Sequence, residues 1–243
     1  MKTKSLLSIA VSALAATALA ETILDSEEIG VVKHTGTAGT EVAIGVPWQA
    51  CGSAGEASEV PVKVSDLIAS GLSDGDILSV WNGSAYYSWK WEDGAWTEAE
   101  GPSGTPAATA ATVTRGQAVW YTPAESKTYT LMGCPVDTAS TSPTTANGYT
   151  LLANPLPTDV TVSGIGGSNG DEILLINSVS STTSYVCNDG SWCTTGWTTT
   201  IVGGKTMKTR TYAPVANTVK IPAGTGFWYI SNGGSPTITW PAE

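Results

Sequence analysis

The chain has 243 residues, a formal charge of −10 and only 13 % charged side chains. Acidity at this level excludes binding that rests on cationic contact with phosphate, so neither nucleic acid nor an anionic membrane surface is an expected partner. A surface so poor in charge is built largely from Ser, Thr, Asn and Gly, which suits an exported protein.

Residues 1–20 read as a signal peptide. Lys2 and Lys4 form a positive n-region, residues 6–19 an apolar run, and Ala18-Leu19-Ala20 a small-x-small cleavage site before Glu21. The run is shorter than the ~20 apolar residues a spanning helix needs. Cleavage removes both lysines and takes the formal charge from −10 to −12. No later segment is apolar enough to span as a helix, and neither a lipid-anchor Cys nor a sorting tail is evident. The expected product is exported, to the periplasm, the outer surface or the medium, with no integral membrane segment after cleavage.

In chain order, the first segment of the body is Ile44-Gly45-Val46-Pro47. Val62-Lys63-Val64-Ser65 follows, and residues 64–70 accommodate one short helical turn at most. Gly75-Asp76-Ile77-Leu78 comes next. From Ala85 to Trp91, alternation places Tyr87, Trp89 and Trp91 on one strand face and Tyr86, Ser88 and Lys90 on the other. Asp93-Gly94 is a tight-hairpin pair, because Gly accepts positive φ, and Trp96 begins the return strand. Residues 101–112 read as a long loop before Gly116-Gln117-Ala118-Val119-Trp120-Tyr121.

Residues 137–148 read as a Ser/Thr/Pro linker. Beyond it the same segments return in the same order. Leu152-Ala153-Asn154-Pro155 weakly matches the Pro47 segment. Val160-Thr161-Val162-Ser163 and Gly170-Asp171-Glu172-Ile173-Leu174 follow. Asp189-Gly190-Ser191-Trp192 repeats Asp93-Gly94-Ala95-Trp96. Residues 194–220 read as a polar loop, longer than its counterpart; Lys205, Lys208 and Arg210 make it the only basic stretch of the mature chain. Gly224-Thr225-Gly226-Phe227-Trp228-Tyr229 repeats the Gly116 strand and is expected to be buried. A turn over 231–235 and a last strand over 237–240 end the chain. Gly and Pro punctuate runs of Thr, Val, Ile, Tyr and Trp. The predicted fold is therefore all-β: two tandem duplicated modules, 21–136 and 149–243, each a β-sandwich or small barrel. The matched Trp120 and Trp228 are expected in the two cores.

Four cysteines allow three pairings. Cys187 and Cys193 flank a predicted hairpin turn, while Cys51 follows the Pro47 segment and Cys134 closes the first module. The expected bridges are Cys51–Cys134 and Cys187–Cys193; four free thiols are the alternative. No C-x-x-C spacing or second ligand cluster suggests zinc, and no metal or cofactor is expected.

The ten tryptophans are the strongest chemical oddity. Aromatic rows on a β face stack on the apolar faces of sugars, so Tyr87, Trp89 and Trp91 are the candidate ligand-binding residues. The competing reading is core packing. His34, the only histidine, is the one available base for a Ser- or Cys-type nucleophile; an exposed strand or loop position is the expectation. Asp74, Asp76, Glu92, Asp93, Asp171, Glu172 and Asp189 are carboxylates from which a glycosidase pair would come. Most stand beside Gly in turn-type contexts that explain them without catalysis. Ser73-Asp74-Gly75-Asp76 and Asn169-Gly170-Asp171-Glu172 offer oxygen ligands for calcium, but the EF-hand pattern is absent. Asp137-Thr138-Ala139-Ser140 is similar to the aspartic-peptidase triplet, with no second copy in module two. No catalytic residue is assigned.

The pairing of Leu152-Ala153-Asn154-Pro155-Leu156 with Ile221-Pro222-Ala223-Gly224-Thr225-Gly226-Phe227-Trp228-Tyr229 resembles repeat modules of exported tandem-repeat β-proteins from gut verrucomicrobial bacteria. It is also similar to modules of Bacteroidetes-type surface proteins. In module one Val46 replaces the Asn and Val113-Thr114-Arg115-Gly116 replaces the Ile-Pro-Ala-Gly entry, so that copy has diverged. The resemblance implies an exported location and a tandem β architecture, and brings no binding or catalytic residues with it. The first functional expectation is a non-enzymatic surface or extracellular interaction protein, with a glycan or another surface protein as partner. The alternatives are a carbohydrate-binding module using the aromatic strand, and a hydrolase with carboxylates between the modules.

Overall fold

The computed structural model describes residues 30–46, 48–50, 60–81, 85–99, 103–134, 141–143, 148–178, 181–203, 205–234 and 237–240. The first half contains β1 (Gly30–Gly36), β2 (Val42–Gly45), β3 (Val62–Lys63), β4 (Ile68–Ser70), β5 (Ile77–Trp81), β6 (Tyr86–Glu92), β7 (Ala95–Glu98), β8 (Thr112–Val113), β9 (Ala118–Thr122) and β10 (Lys127–Gly133). The second contains β11 (Thr141–Pro143), β12 (Tyr149–Ala153), β13 (Val160–Thr161), β14 (Glu172–Ser178), β15 (Ser181–Asn188), β16 (Ser191–Val202), β17 (Lys205–Pro214), β18 (Lys220–Ile221), β19 (Gly226–Ile230) and β20 (Thr237–Thr239). The fold is all-β, with one 3-10 turn in each half, at Val64–Asp66 and Val162–Gly164.

The two main sheets share a strand order. The first runs β2-β9-β5-β6-β7; the second runs β12-β19-β14-β15-β16 and adds β17. The pairs β3-β8 and β13-β18 also correspond. Each main sheet buries one face. Ile44, Leu78, Trp89, Val119 and Tyr121 meet Leu131, Val113 and Val64 in the first core. Leu152, Ile173, Tyr185, Phe227 and Tyr229 meet Ile221, Ile238 and Val162 in the second. Period-2 alternation sends the intervening residues to the opposite face.

The Asp-Gly turns form as the sequence predicts. Asp93 and Gly94 have φ of 50° and 80°, and Asp189 and Gly190 have 50° and 73°. Positive φ at both central residues is the type I′ geometry that matches strand twist. That register also overturns the Cys187–Cys193 bridge. Cys187 stands across from Trp192, and Cys193 across from Val186. The two thiols are one residue out of step, so they lie on opposite faces of the sheet, and both are free and buried. Cys134 is buried and disulfide-bonded; its expected partner Cys51 lies outside the described residues, as do residues 137–140.

Two further expectations change. Thr141–Pro143, inside the stretch read as a linker, forms a strand against Thr237–Thr239. Residues 191–214, read mostly as loop, form the long β16–β17 hairpin. Its strands are Thr-rich, and the apolar residues among them, Trp197, Ile201, Met207 and Tyr212, are exposed between polar neighbours, so no buried alternation marks a half-buried strand.

Each half is tied by one buried aspartate at the entry to β5 or β14. Asp76 accepts hydrogen bonds from Ser73 N (3.0 Å), Ala124 N (2.8 Å) and Tyr121 Oη (2.7 Å), and pairs with Lys127 Nζ at 2.5 Å. Asp171 accepts from Ser168 N (2.8 Å), Asn232 N (2.9 Å) and Tyr229 Oη (2.5 Å). These contacts join the turn before one strand to the end of its neighbour. Turn and strand chemistry therefore occupies both of these carboxylates, which the sequence had offered as catalytic or calcium-binding groups.

The halves meet through reciprocal contacts. Gly45 N donates to Gly224 O at 2.8 Å, and Ala153 N donates to Gly116 O at 2.9 Å. Ile44 bridges Thr225, and Gln117 bridges Leu152. Gly45 and Ala153 occupy matching positions, as do Gly116 and Gly224, so each half gives the other the same bonds. The approach is close: a Cβ on Gly45 would lie 2.2 Å from Ala153 Cβ.

Three outcomes follow from this architecture. Gly45→Val forces the seam apart and costs about 1–3 kcal/mol, read as a lowered denaturation midpoint. The denatured, unreduced chain exposes two reactive thiols, Cys187 and Cys193; a thiol titration that finds none restores the bridge. The third concerns acid. Burial pushes the Asp76 carboxyl up, but Lys127, the Ala124 and Ser73 amides and the Tyr121 hydroxyl outweigh it and hold it below the ordinary range. Its contribution is present above the unfolded pKa and lost as pH falls through the lowered folded value. Denaturant titrations should show stability falling below about pH 4. Asp76→Asn, which strands the Lys127 ammonium, costs about 3–5 kcal/mol at neutral pH and flattens that acid dependence.

Candidate functional site

The side chains that leave the cores on β5, β6, β9, β12 and β19 converge where the halves meet. Leu78 points into the first core, so Ser79 and Trp81 point out. Trp81 stands across from Tyr86, with ring centroids 5.0 Å apart. Ser79 stands across from Trp120 on β9. The Trp120 indole N–H donates to Tyr86 Oη at 3.2 Å. In the second half Trp228 occupies the position of Trp120, and the two rings meet at 6.1 Å. Tyr149 packs edge-on against Trp228 at 6.0 Å.

The result is a row, Trp81–Tyr86–Trp120–Trp228–Tyr149, that crosses the seam. It borders a groove of about 740 Å³ lined by Trp81, Tyr86, Tyr149, Leu151 and Trp228, with Thr114, Arg115, Gln117, Ser142 and Thr150 as polar groups. Tyr149 is 65 % exposed, Trp81 45 % and Tyr86 37 %. Apolar rings left this open in one patch call for a partner. Ser142 Oγ accepts from the buried Trp240 indole at 2.9 Å. Gln117 Oε1 accepts from Thr114 N at 3.3 Å, which leaves its amide N–H₂ as a donor. No described carboxylate lines the groove.

The seam creates a second, smaller cavity in the corresponding place. It holds about 160 Å³, with His34, Glu41, Ala43, Ile176 and Thr225 among its lining. By register Ile176 takes the place of Trp81, Glu41 that of Tyr149 and Ala43 that of Leu151. His34 stacks on Tyr129 at 5.6 Å. Burial pushes the His34 imidazole down and the Glu41 carboxyl up, so the histidine is neutral at pH 7. It is not the exposed residue the sequence suggested, and no Ser or Cys nucleophile lines this cavity among the described residues.

The predicted aromatic strand lies elsewhere. Trp89 is fully buried and its indole N–H donates to Pro106 O at 2.9 Å. Tyr87 packs on Trp89 at 6.4 Å and Trp91 on Trp96 at 5.3 Å, and both are half-buried. The row belongs mainly to the first core. Conversely Trp120 and Trp228, expected in the cores, are half-buried at the seam; the neighbouring Tyr121 and Tyr229 are the fully buried residues. The shift has a simple cause. Alternation decides which residues share a face, and which face is wet depends on what packs there. Of the remaining acids, Asp74 accepts from Asp93 N at 3.2 Å, Asp93 and Asp189 are central residues of the two hairpin turns, Glu92 on β6 pairs with Lys90 at 2.6 Å, and Glu172 on β14 accepts from Ser184 Oγ. Among the described residues no three His, Cys, Asp or Glu side chains gather to hold a metal ion.

Comparison with family models, curated proteins and solved structures returns no match.

Truncation at the groove should separate binding from folding. Tyr149→Ala removes an exposed ring and leaves the denaturation midpoint within about 0.5 kcal/mol of the parent. Trp89→Ala, in the core, costs about 3–5 kcal/mol.

Proposed function

We propose that the chain is an exported, non-enzymatic interaction protein that holds a carbohydrate chain in the groove between its halves. The observation that carries this reading is the continuous aromatic row, open to solvent beside a polar rim. The apolar face of a pyranose stacks on such rings, and Thr114, Gln117 and Thr150 supply hydrogen-bonding groups suited to its hydroxyls. A groove of about 740 Å³ accommodates several sugar units. The hydrolase alternative needs two facing carboxylates, and the described lining contains none. Export is inferred from the residue 1–20 segment and fits the low charge of the body.

The test is a glycan array followed by calorimetry on whatever binds. Trp228→Ala and Tyr149→Ala should each weaken binding about 10- to 100-fold, while Trp91→Ala leaves it unchanged. Loss on Trp91→Ala with Trp228→Ala silent would move the ligand to the Tyr87–Trp91 strand. An array with no binding beyond background would remove the carbohydrate reading.

A further inference from the structure

Among the described residues β17 has no counterpart in the first half. It forms the last strand of the second sheet, and its outer edge has no strand partner among the described residues. β7, which corresponds to β16, ends the first sheet with its own edge likewise unpaired. The matched tryptophans show the consequence. Trp192 is buried, and the chain leaving β17 lies beside it: Val215 N donates to Trp192 O at 2.8 Å and Val215 joins the same core. Trp96 stays half-buried, as does Trp91 against it. Among the described residues the first sheet has no strand at the place where the second has β17.

The charges of the two edges are complementary. β17 carries Lys205, Lys208 and Arg210, all exposed, and the sequence has no acid between Asp189 and Glu243. Asp93 and Glu98 are exposed beside and on β7, in a chain of net charge −10. The register shows which groups of β17 are available. Val215 and Trp192 are a hydrogen-bonded pair. By alternation Met207, Thr209, Thr211 and Ala213 bond inward to β16, and the N–H groups of Thr206, Lys208, Arg210 and Tyr212 face the open edge. Pairing two copies of β17 about Thr209 would oppose Lys208 and Arg210 directly, which like charges disfavour. The acidic β7 edge carries no such repulsion.

We propose that β17 of one molecule adds to the β7 edge of a second copy, supplying the strand its first sheet lacks. Unpaired edge N–H and C=O groups are templates for this kind of addition, and the cations of β17 that repel a second β17 meet acids at β7. Each chain then bears one donor edge and one acceptor edge. The contact is heterologous, and it builds open head-to-tail chains rather than closed dimers.

Sedimentation velocity on the purified chain, taken up to about 1 mM, tests this. The expected result is a ladder of species that grows with concentration and shrinks as salt rises. Glu98→Lys and Lys208→Glu should each weaken association about tenfold. An equimolar mixture of those two variants should regain it, because the swapped charges meet. Thr206→Pro removes only an outward N–H, so it blocks assembly while circular dichroism and the denaturation midpoint stay those of the parent. A chain that remains monomeric throughout overturns the proposal. So does assembly indifferent to all three substitutions. Binding of the basic hairpin to phosphatidylglycerol vesicles without self-association overturns it too, and assigns β17 to a lipid surface.

Discussion

Everything about the groove depends on how closely two backbones approach at the seam. Gly45 and Gly224 share one hydrogen bond, and Ala153 and Gly116 share its mirror. The small residues are obligatory there: a Cβ on Gly226 would lie 2.7 Å from Ala43 Cβ and 2.9 Å from Ala118 Cβ. With the two outer sheet faces this close, the next outward positions, Trp120 and Trp228, must touch. Their contact at 6.1 Å joins two separate aromatic sets into one row. A seam wider by the size of one methyl group would leave two unrelated surface patches. The groove is thus a property of the pairing of the halves, and neither half has it alone.

Each half reaches that seam already braced. The buried aspartate at the start of β5 or β14 gathers a backbone amide from the turn before it, and a tyrosine hydroxyl and a second amide from the end of the neighbouring strand. Tyr121 and Tyr229 are the donors, and burial together with the neighbouring carboxylate pushes both phenols far up. They remain neutral and donate at any physiological pH. The halves differ in one respect, since Lys127 adds a charge partner to Asp76. Asp171 rests on neutral donors in the described structure. A buried carboxylate satisfied by amides and a phenol has its lone pairs occupied. That is why these acids are poor candidates for catalysis despite their suggestive spacing with Gly.

The strand architecture was legible because local signals agreed. Asp-Gly pairs, β-branched runs and Gly-x-Gly entries each carry a mechanism, and they recur in one order along the chain. The functional face was less legible. Tyr86 and Trp89 sit on opposite faces by simple alternation, yet nothing local says which face is covered. Trp89 goes inside because β8, β10 and the loop holding Pro106 close over it. Tyr86 stays outside because only the edge of the seam reaches it. The same ambiguity misplaced Trp120 and Trp228. Cysteine spacing misled for a different reason: a two-residue turn sets register to one residue, and six positions of separation lands Cys193 beside Trp192 rather than across from Cys187. The β16–β17 hairpin was hidden because its few apolar residues, Trp197, Ile201, Met207 and Tyr212, are spread among threonines and cations with no steady period of two.

Positions that correspond between the halves face the same packing demands, and most are filled by similar residues. Leu78 answers Ile173, Tyr121 answers Tyr229, and Val64 answers Val162, each fully buried. The departures are concentrated at the surface. Trp81 stands where the other half has Ile176, and Tyr149 where it has Glu41. Among the described residues β17 extends one sheet and not the other. The three core pairs named above are filled alike, so their packing does not account for these surface differences. Natural sequences depart from local consistency mainly where function requires it. The asymmetry therefore separates the groove and the basic hairpin from the scaffold that both halves share.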